Sequence, residues 1–122
     1  MKSVSIENIT HPLPRPLVVG YCNSFLCRLR GLMFRKSLAP AEGLLLVGSR
    51  DQVMDASIHM MFVDFDLAVF WINQQGEVVD AVLARRWRAG YFPKRPARYV
   101  LEAAVERMGD FVVGDQVRFN EV

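Results

Sequence analysis

Residues 57–83 read Ser57-Ile58-His59-Met60-Met61-Phe62-Val63-Asp64-Phe65-Asp66-Leu67-Ala68-Val69-Phe70-Trp71-Ile72-Asn73-Gln74-Gln75-Gly76-Glu77-Val78-Val79-Asp80-Ala81-Val82-Leu83. Within this stretch Leu67 to Ile72 is apolar at every position. A half-exposed strand alternates, so an unbroken apolar run of strand length predicts a strand covered on both faces in mid-sheet. Asn73-Gln74-Gln75-Gly76 puts Asn first and Gly fourth, which suits a type I turn closed by a left-handed Gly bulge. Glu77 to Leu83 is then the returning strand.

Outward from that hairpin the chain is punctuated by turns. His11-Pro12-Leu13-Pro14-Arg15-Pro16 removes backbone donors at close intervals, so residues 1–16 are expected as an extended arm and 17–122 as one β-rich domain. Leu17 to Tyr21 suits a strand. Asn23 or Ser24 suits the N-cap of a short helix over Phe25 to Phe34, in which Phe25, Leu29 and Leu32 recur near helical spacing. Gly31 costs that helix about 1 kcal/mol against Ala, which implies close packing or an early end. Pro40 and Gly43 bracket a loop into the strand Leu44 to Val47. Beyond Pro93 and Pro96, Arg98 to Leu101 is expected as a strand, Glu102 to Met108 as a short helix ending at Gly109, and Val117 and Phe119 as part of a last strand. Short strands without alternating helices predict a mainly β sandwich or barrel with two short helices.

A chain of 122 residues has room for one core and about one domain. With 52% hydrophobic residues, 23% charged and a net charge of +2, it falls in the globular class, and its bulk charge names no partner. The first twenty residues hold no apolar stretch of signal-peptide length, and the run Leu67 to Ile72 is too short to span a bilayer. A cytoplasmic location is the expectation. Cys22 and Cys27 fit neither Cys-x-x-Cys nor a four-ligand zinc pattern, so two free thiols are expected in a reducing compartment.

An ordered set of blocks carries a family resemblance: Gly31-Leu32-Met33-Phe34-Arg35 with Leu38 and Gly43, Ser57-Ile58-His59, Gly76-Glu77-Val78-Val79, Tyr99-Val100-Leu101-Glu102 and Gly114-Asp115. Together they resemble the bacterial and archaeal proteins grouped as domain of unknown function 192. The resemblance implies a compact, mainly β domain and no established reaction. Where relatives often carry a carboxylate in a Pro-Ile-Asp or Pro-Leu-Asp triplet, this chain has Ala68, and Asp66, two residues earlier, would share a face with that position on a strand and could present a carboxylate near it. Many relatives begin with an export signal or lipoprotein motif, which this sequence does not show.

No motif implies a cofactor or a metal. Ser57 and His59 would share a face on a strand, and Asp64 or Asp66 would complete a hydrolytic trio, but no Gly-x-Ser-x-Gly elbow accompanies them. His59-Met60-Met61 with the cysteines offers soft ligands for monovalent copper, although Met60 and Met61 should point to opposite faces. Arg85 to Tyr99 interleaves arginines with Trp87, Tyr91 and Phe92, with no acid between. That combination pairs with anions and stacks on planar groups, while the plainer reading is a solvated loop anchored by its rings. Glu102, Glu106 and Arg107 read as helix-face charges, and Gly114-Asp115 as a turn.

The sequence therefore points to a non-enzymatic binding or accessory module. Its ligand surface would combine Arg30, Arg35, His59, Asp66, Arg85, Arg86, Trp87, Arg88, Tyr91 and Arg98, and its partner would be an anionic small molecule, a nucleic acid or a protein. The alternatives are a hydrolase built on His59 with Asp64 or Asp66, and an interaction module with an exposed edge strand.

Overall fold

The hairpin predicted from the apolar run sits inside the sheet. The computed structural model describes residues 1–122. In it β4 (Leu67–Ile72) pairs antiparallel with β5 (Val78–Ala84) on one side and with β6 (Ala97–Ala103) on the other, and all six β4 residues are buried. Leu67, Val69 and Trp71 join one apolar cluster with Leu44, Leu46 and Val100. Ala68, Phe70 and Ile72 join a second with Leu45, Val47 and Leu101. Both faces of the sheet are thus covered, which is why the strand carries no polar residue.

The turn after β4 is built as the sequence demands. Asn73 Oδ1 accepts from the amides of Gln75 (3.1 Å) and Glu77 (2.9 Å), and the Gly76 amide returns to the Asn73 carbonyl at 2.9 Å. Gly76 has φ of +86°, and a β-carbon there would lie 2.6 Å from the Val117 carbonyl, so conformation and space both require glycine. Trp71 pairs with Asp80 but Ile72 with Val78, leaving Val79 as the extra residue of a bulge.

Seven strands form one sheet in the order β5-β4-β6-β3-β2-β1-β7, with β1 Ser3–Asn8, β2 Val18–Cys22, β3 Gly43–Gln52 and β7 Val117–Glu121. Only β2 and β3 pair in parallel. The sheet curls into a half-barrel whose terminal strands meet at one end: Val78 N donates to Asp115 O at 2.9 Å, Gly114 N to Val78 O at 2.8 Å and Val117 N to Gly76 O at 2.8 Å. The edges that an interaction module would present are partly closed on each other.

Four local expectations need correction. Residues 1–16 are not simply an arm: Ser3–Asn8 lies between β2 and β7, and Val4 and Ile6 are buried. The helix α1 (Phe25–Arg30) is shorter than expected, capped by Ser24, whose side chain accepts from the Cys27 amide, and by Gly31 at φ +49°. It buries none of its own residues, so Phe25 and Leu29 stay exposed while Leu32, beyond the helix, is buried. Glu102 belongs to β6, where it pairs with Val69 and Leu44, and the helical turn is a 3₁₀ segment over Val105–Asp110. Sheet register overrides the helix propensity of the Glu-Ala-Ala stretch. Arg107 is no surface charge: it is 1% exposed and donates to the carbonyls of Pro40, Arg15 and Pro16 and to Asp110.

The cysteines are also corrected. α1 turns the chain back so that Cys22 and Cys27 lie 5.7 Å apart at Cα and form a disulfide. No helix is long and apolar enough to cross a membrane.

Candidate ligand cavity

Arg98, Val100 and Glu102 alternate along β6 and so share one face of the strand. That face, together with Leu46, Gly48 and Arg50 of β3, forms one wall of a cavity of about 470 Å³. α1 supplies Arg28 and Arg30 to the lining, and residues of the segments 55–59 and 89–92 also line it. Those two segments are bonded to each other through Ile58 and Tyr91, whose amides and carbonyls exchange bonds of 3.0 and 2.8 Å. Trp71 Nε1 donates to the Ala56 carbonyl at 2.7 Å and fixes the 53–66 loop over the sheet.

The cavity carries four arginines, Arg28, Arg30, Arg50 and Arg98, against two acids, Asp55 and Glu102. Arg98 Nε donates to Gly48 O at 3.0 Å, which fixes the guanidinium against β3. Arg28 Nε is buried without a partner. Glu102 is 4% exposed, and its Oε1 is likewise buried without a partner. Burial pushes the Glu102 carboxyl up to about 7. Buried polar groups are normally satisfied, so two groups without a partner on residues lining one cavity single it out as the candidate site.

Of the residues singled out from the sequence, Arg30, His59 and Arg98 line this cavity. The basic segment is divided. Ala89, Gly90 and Phe92 reach the cavity, but Arg85 and Arg86 are turned to Asp66, with Arg86 Nε at 3.1 Å and Arg85 Nη1 at 3.8 Å. The Arg86 amide, then its guanidinium, hold the Asp66 carboxyl below its ordinary value. Trp87 Nε1 donates to Asp64 at 3.0 Å, the Tyr91 hydroxyl accepts from the Arg85 amide at 2.8 Å, and Arg35 pairs with Glu42 at 3.1 Å. Arg88 is exposed, and its carbonyl accepts from the Met60 amide at 2.9 Å. The acids missing from the segment arrive from a loop some twenty residues upstream.

The hydrolytic trio is not assembled. Residues 57–59 lie in a loop with one isolated bridge, at Ile58, rather than a strand. Ser57 Oγ donates to Met54 O at 2.6 Å. His59 Nδ1 accepts from the Met61 amide at 3.2 Å while Nε2 lies 3.2 Å from Leu29 O, so the two ring nitrogens are engaged as acceptor and donor and no lone pair is left for a base. Asp64 and Asp66 are bonded as described, away from His59. Asp66 also precedes β4, so the shared-face argument linking it to Ala68 does not apply, and Ala68 is buried in the second apolar cluster. Met60 is buried and Met61 exposed, so the pair does not converge on a metal site.

One feature was invisible in the sequence. Phe34, Phe62 and Trp87 all adopt left-handed backbone, with φ of +66°, +62° and +63°, and their rings form an exposed row with centroids 5.3 and 5.2 Å apart. Bulky residues rarely take that conformation, and nothing in local sequence announces it.

A family model described as DUF192, "Uncharacterized ACR, COG1430", matches residues 8–119. A UPF0127 protein of Pyrococcus furiosus is 33% identical over 118 residues, covering 94% of this chain and 97% of that protein. One from Thermococcus gammatolerans is 41% identical over 87 residues, covering 71% of this chain and 55% of its own length. Among solved structures, a Sinorhizobium meliloti protein described as "a putative transcription regulator" superposes with a TM-score of 0.80 at 22% identity, over 97% of this chain and 92% of that one. A Novosphingobium aromaticivorans protein of unknown function gives 0.77 at 20% identity, over 95% and 83%. The extent of the family match and the identity to the Pyrococcus protein place this chain in the DUF192 family of uncharacterised proteins.

Proposed function

We propose that the protein is a non-enzymatic binding module whose ligand is a small anion-bearing molecule held in the cavity between α1, β3 and β6. The observation that carries this reading is the excess of arginine there, four against two acids, around apolar walls. Guanidinium groups match carboxylate and phosphate geometry and gain strength where water is partly excluded. The volume suits a compact ligand. The outer arginines Arg85 and Arg86 contribute less, since Asp66 already faces them. A cytoplasmic setting goes with this reading, although the Cys22–Cys27 bond sits uneasily with the reduced thiols of that compartment.

Titration calorimetry with inorganic phosphate, a panel of small carboxylates and a short single-stranded RNA tests it. At least one small anion should saturate, weaken at high salt and lose about tenfold in affinity in Arg98→Ala. Absence of saturable small-anion binding would overturn the reading. Binding of RNA alone, lost on replacing Arg85, Arg86 and Arg88, would move the site to the outer loop.

A further inference from the structure

The cavity holds two unmet groups of opposite kind. Glu102 Oε1 is an acceptor without a donor, and Arg28 Nε is a donor without an acceptor. Both belong to residues that line the same space. They do not satisfy each other, and Glu102 takes part in none of the molecule's ion pairs. A simple anion answers the arginine and leaves the carboxylate facing more negative charge. A simple amine does the reverse.

We infer that the cavity recognises an amphoteric small molecule, an α-amino acid or similarly built compound, with its ammonium on Glu102, its carboxylate on Arg28 and Arg98, and an apolar side chain against Leu46, Ile58 and Val100. Three observations converge on this. Glu102 is nine-tenths buried and stands on the cavity side of β6, two residues from Val100 and four from Arg98. Gly31, at the end of α1, adjoins Glu102: the position of an added β-carbon lies 3.4 Å from Oε1, an ordinary contact. Gly48 of β3 places Arg28 at the same wall: its Nη1 lies 3.8 Å from the position of an added β-carbon on that glycine. The carboxyl, raised by burial, ionises readily once an ammonium replaces the water it has lost. A carboxylate and guanidinium groups lining one partly apolar cavity can read both ends of a zwitterion, and an analogue lacking either end leaves a buried group unpaired.

The inference rests on the anion-binding reading and goes beyond it, and matched pairs of probes separate the two. Calorimetry on the intact protein would compare L-leucine with isocaproate and L-phenylalanine with hydrocinnamate, pairs that differ in the amine alone. At least one amino acid should bind at least about tenfold more tightly than its deaminated partner, and Glu102→Gln should shrink that ratio to about threefold or less. Equal affinity within both pairs overturns the inference while leaving the anion site standing. An unchanged ratio in folded Glu102→Gln overturns the role of Glu102. No binding by any of the four probes or by phosphate overturns both readings together. The wild-type comparison needs no variant and holds even if Glu102→Gln folds poorly.

Discussion

Gly31 stands against Glu102, with the position of an added β-carbon only 3.4 Å from the carboxylate oxygen Oε1. That contact is ordinary in length, so the demand for glycine comes chiefly from the backbone, where φ is +49° and ψ is −123°. Gly31→Ala should therefore cost about 1 to 2 kcal/mol in urea unfolding, and Gly31→Val should cost more and narrow the cavity. Equal stability of Gly31→Ala and wild type would show that the α1 terminus relaxes freely.

Glu102 should impose a pH dependence of definite sign. Its carboxyl is pushed from 4.5 in the unfolded chain to about 7 in the folded one, so between those values the native state holds the extra proton. Stability should then fall as pH rises through that window and level off above it, by on the order of 3 kcal/mol in total. The carboxylates held below their ordinary values, Glu7, Glu42, Asp66 and Asp115, act with opposite sign and only at lower pH. Denaturant unfolding between about pH 5 and pH 8 should show the fall in wild type and its loss in Glu102→Gln.

Arg107 ties the segment before β2 to the loop before β3 through the carbonyls of Arg15, Pro16 and Pro40. Removing it takes a buried guanidinium from three carbonyls and Asp110, all at part-buried contacts. Arg107→Ala should cost about 3 to 5 kcal/mol, and Arg107→Lys should recover only part, because one ammonium cannot reproduce the planar fork. Thermal unfolding of the two variants checks the order.

Trp71 is fully buried and bonded to Ala56 O, whereas Trp87 is 47% exposed. Trp71→Ala should lower stability by about 3 to 5 kcal/mol, and Trp87→Ala by clearly less. A reversal of that order in chemical denaturation would contradict the placement of β4 at the centre of both cores.

Protein denatured under alkylating, non-reducing conditions should yield no free thiol at Cys22 or Cys27. The loop is short, so reduction should cost only about 2 kcal/mol. Two alkylated cysteines would restore the free pair that motif spacing suggested.

The fold was legible where local pattern decides it. Leu67 to Ile72 could be placed between two apolar layers because a fully apolar strand has no other home, and Asn73 to Gly76 because few turns suit that pair of ends. The cavity was legible only in fragments. Arg30, His59 and Arg98 were singled out, but Arg28, Arg50 and Glu102 were not, because the site is assembled from α1, β3, β6 and two loops that only the sheet order brings together. Glu102 sits at the start of a stretch with helix-forming composition. The signal that could have found it was the alternation Arg98, Val100, Glu102, extending the expected strand by one residue. The basic segment misled for the same reason in reverse, since Asp64 and Asp66 meet it only through tertiary structure.

The claim that the cavity, and not the outer basic loop, holds the ligand is tested most directly by NMR of the arginine Nε–Hε groups during titration with L-leucine and with inorganic phosphate. The Arg28 and Arg98 signals should shift along one saturable curve for at least one titrant, with Arg85 and Arg86 unmoved. Saturable shifts confined to Arg85, Arg86 and Arg88, or none at Arg28 and Arg98 with either titrant, would contradict the account.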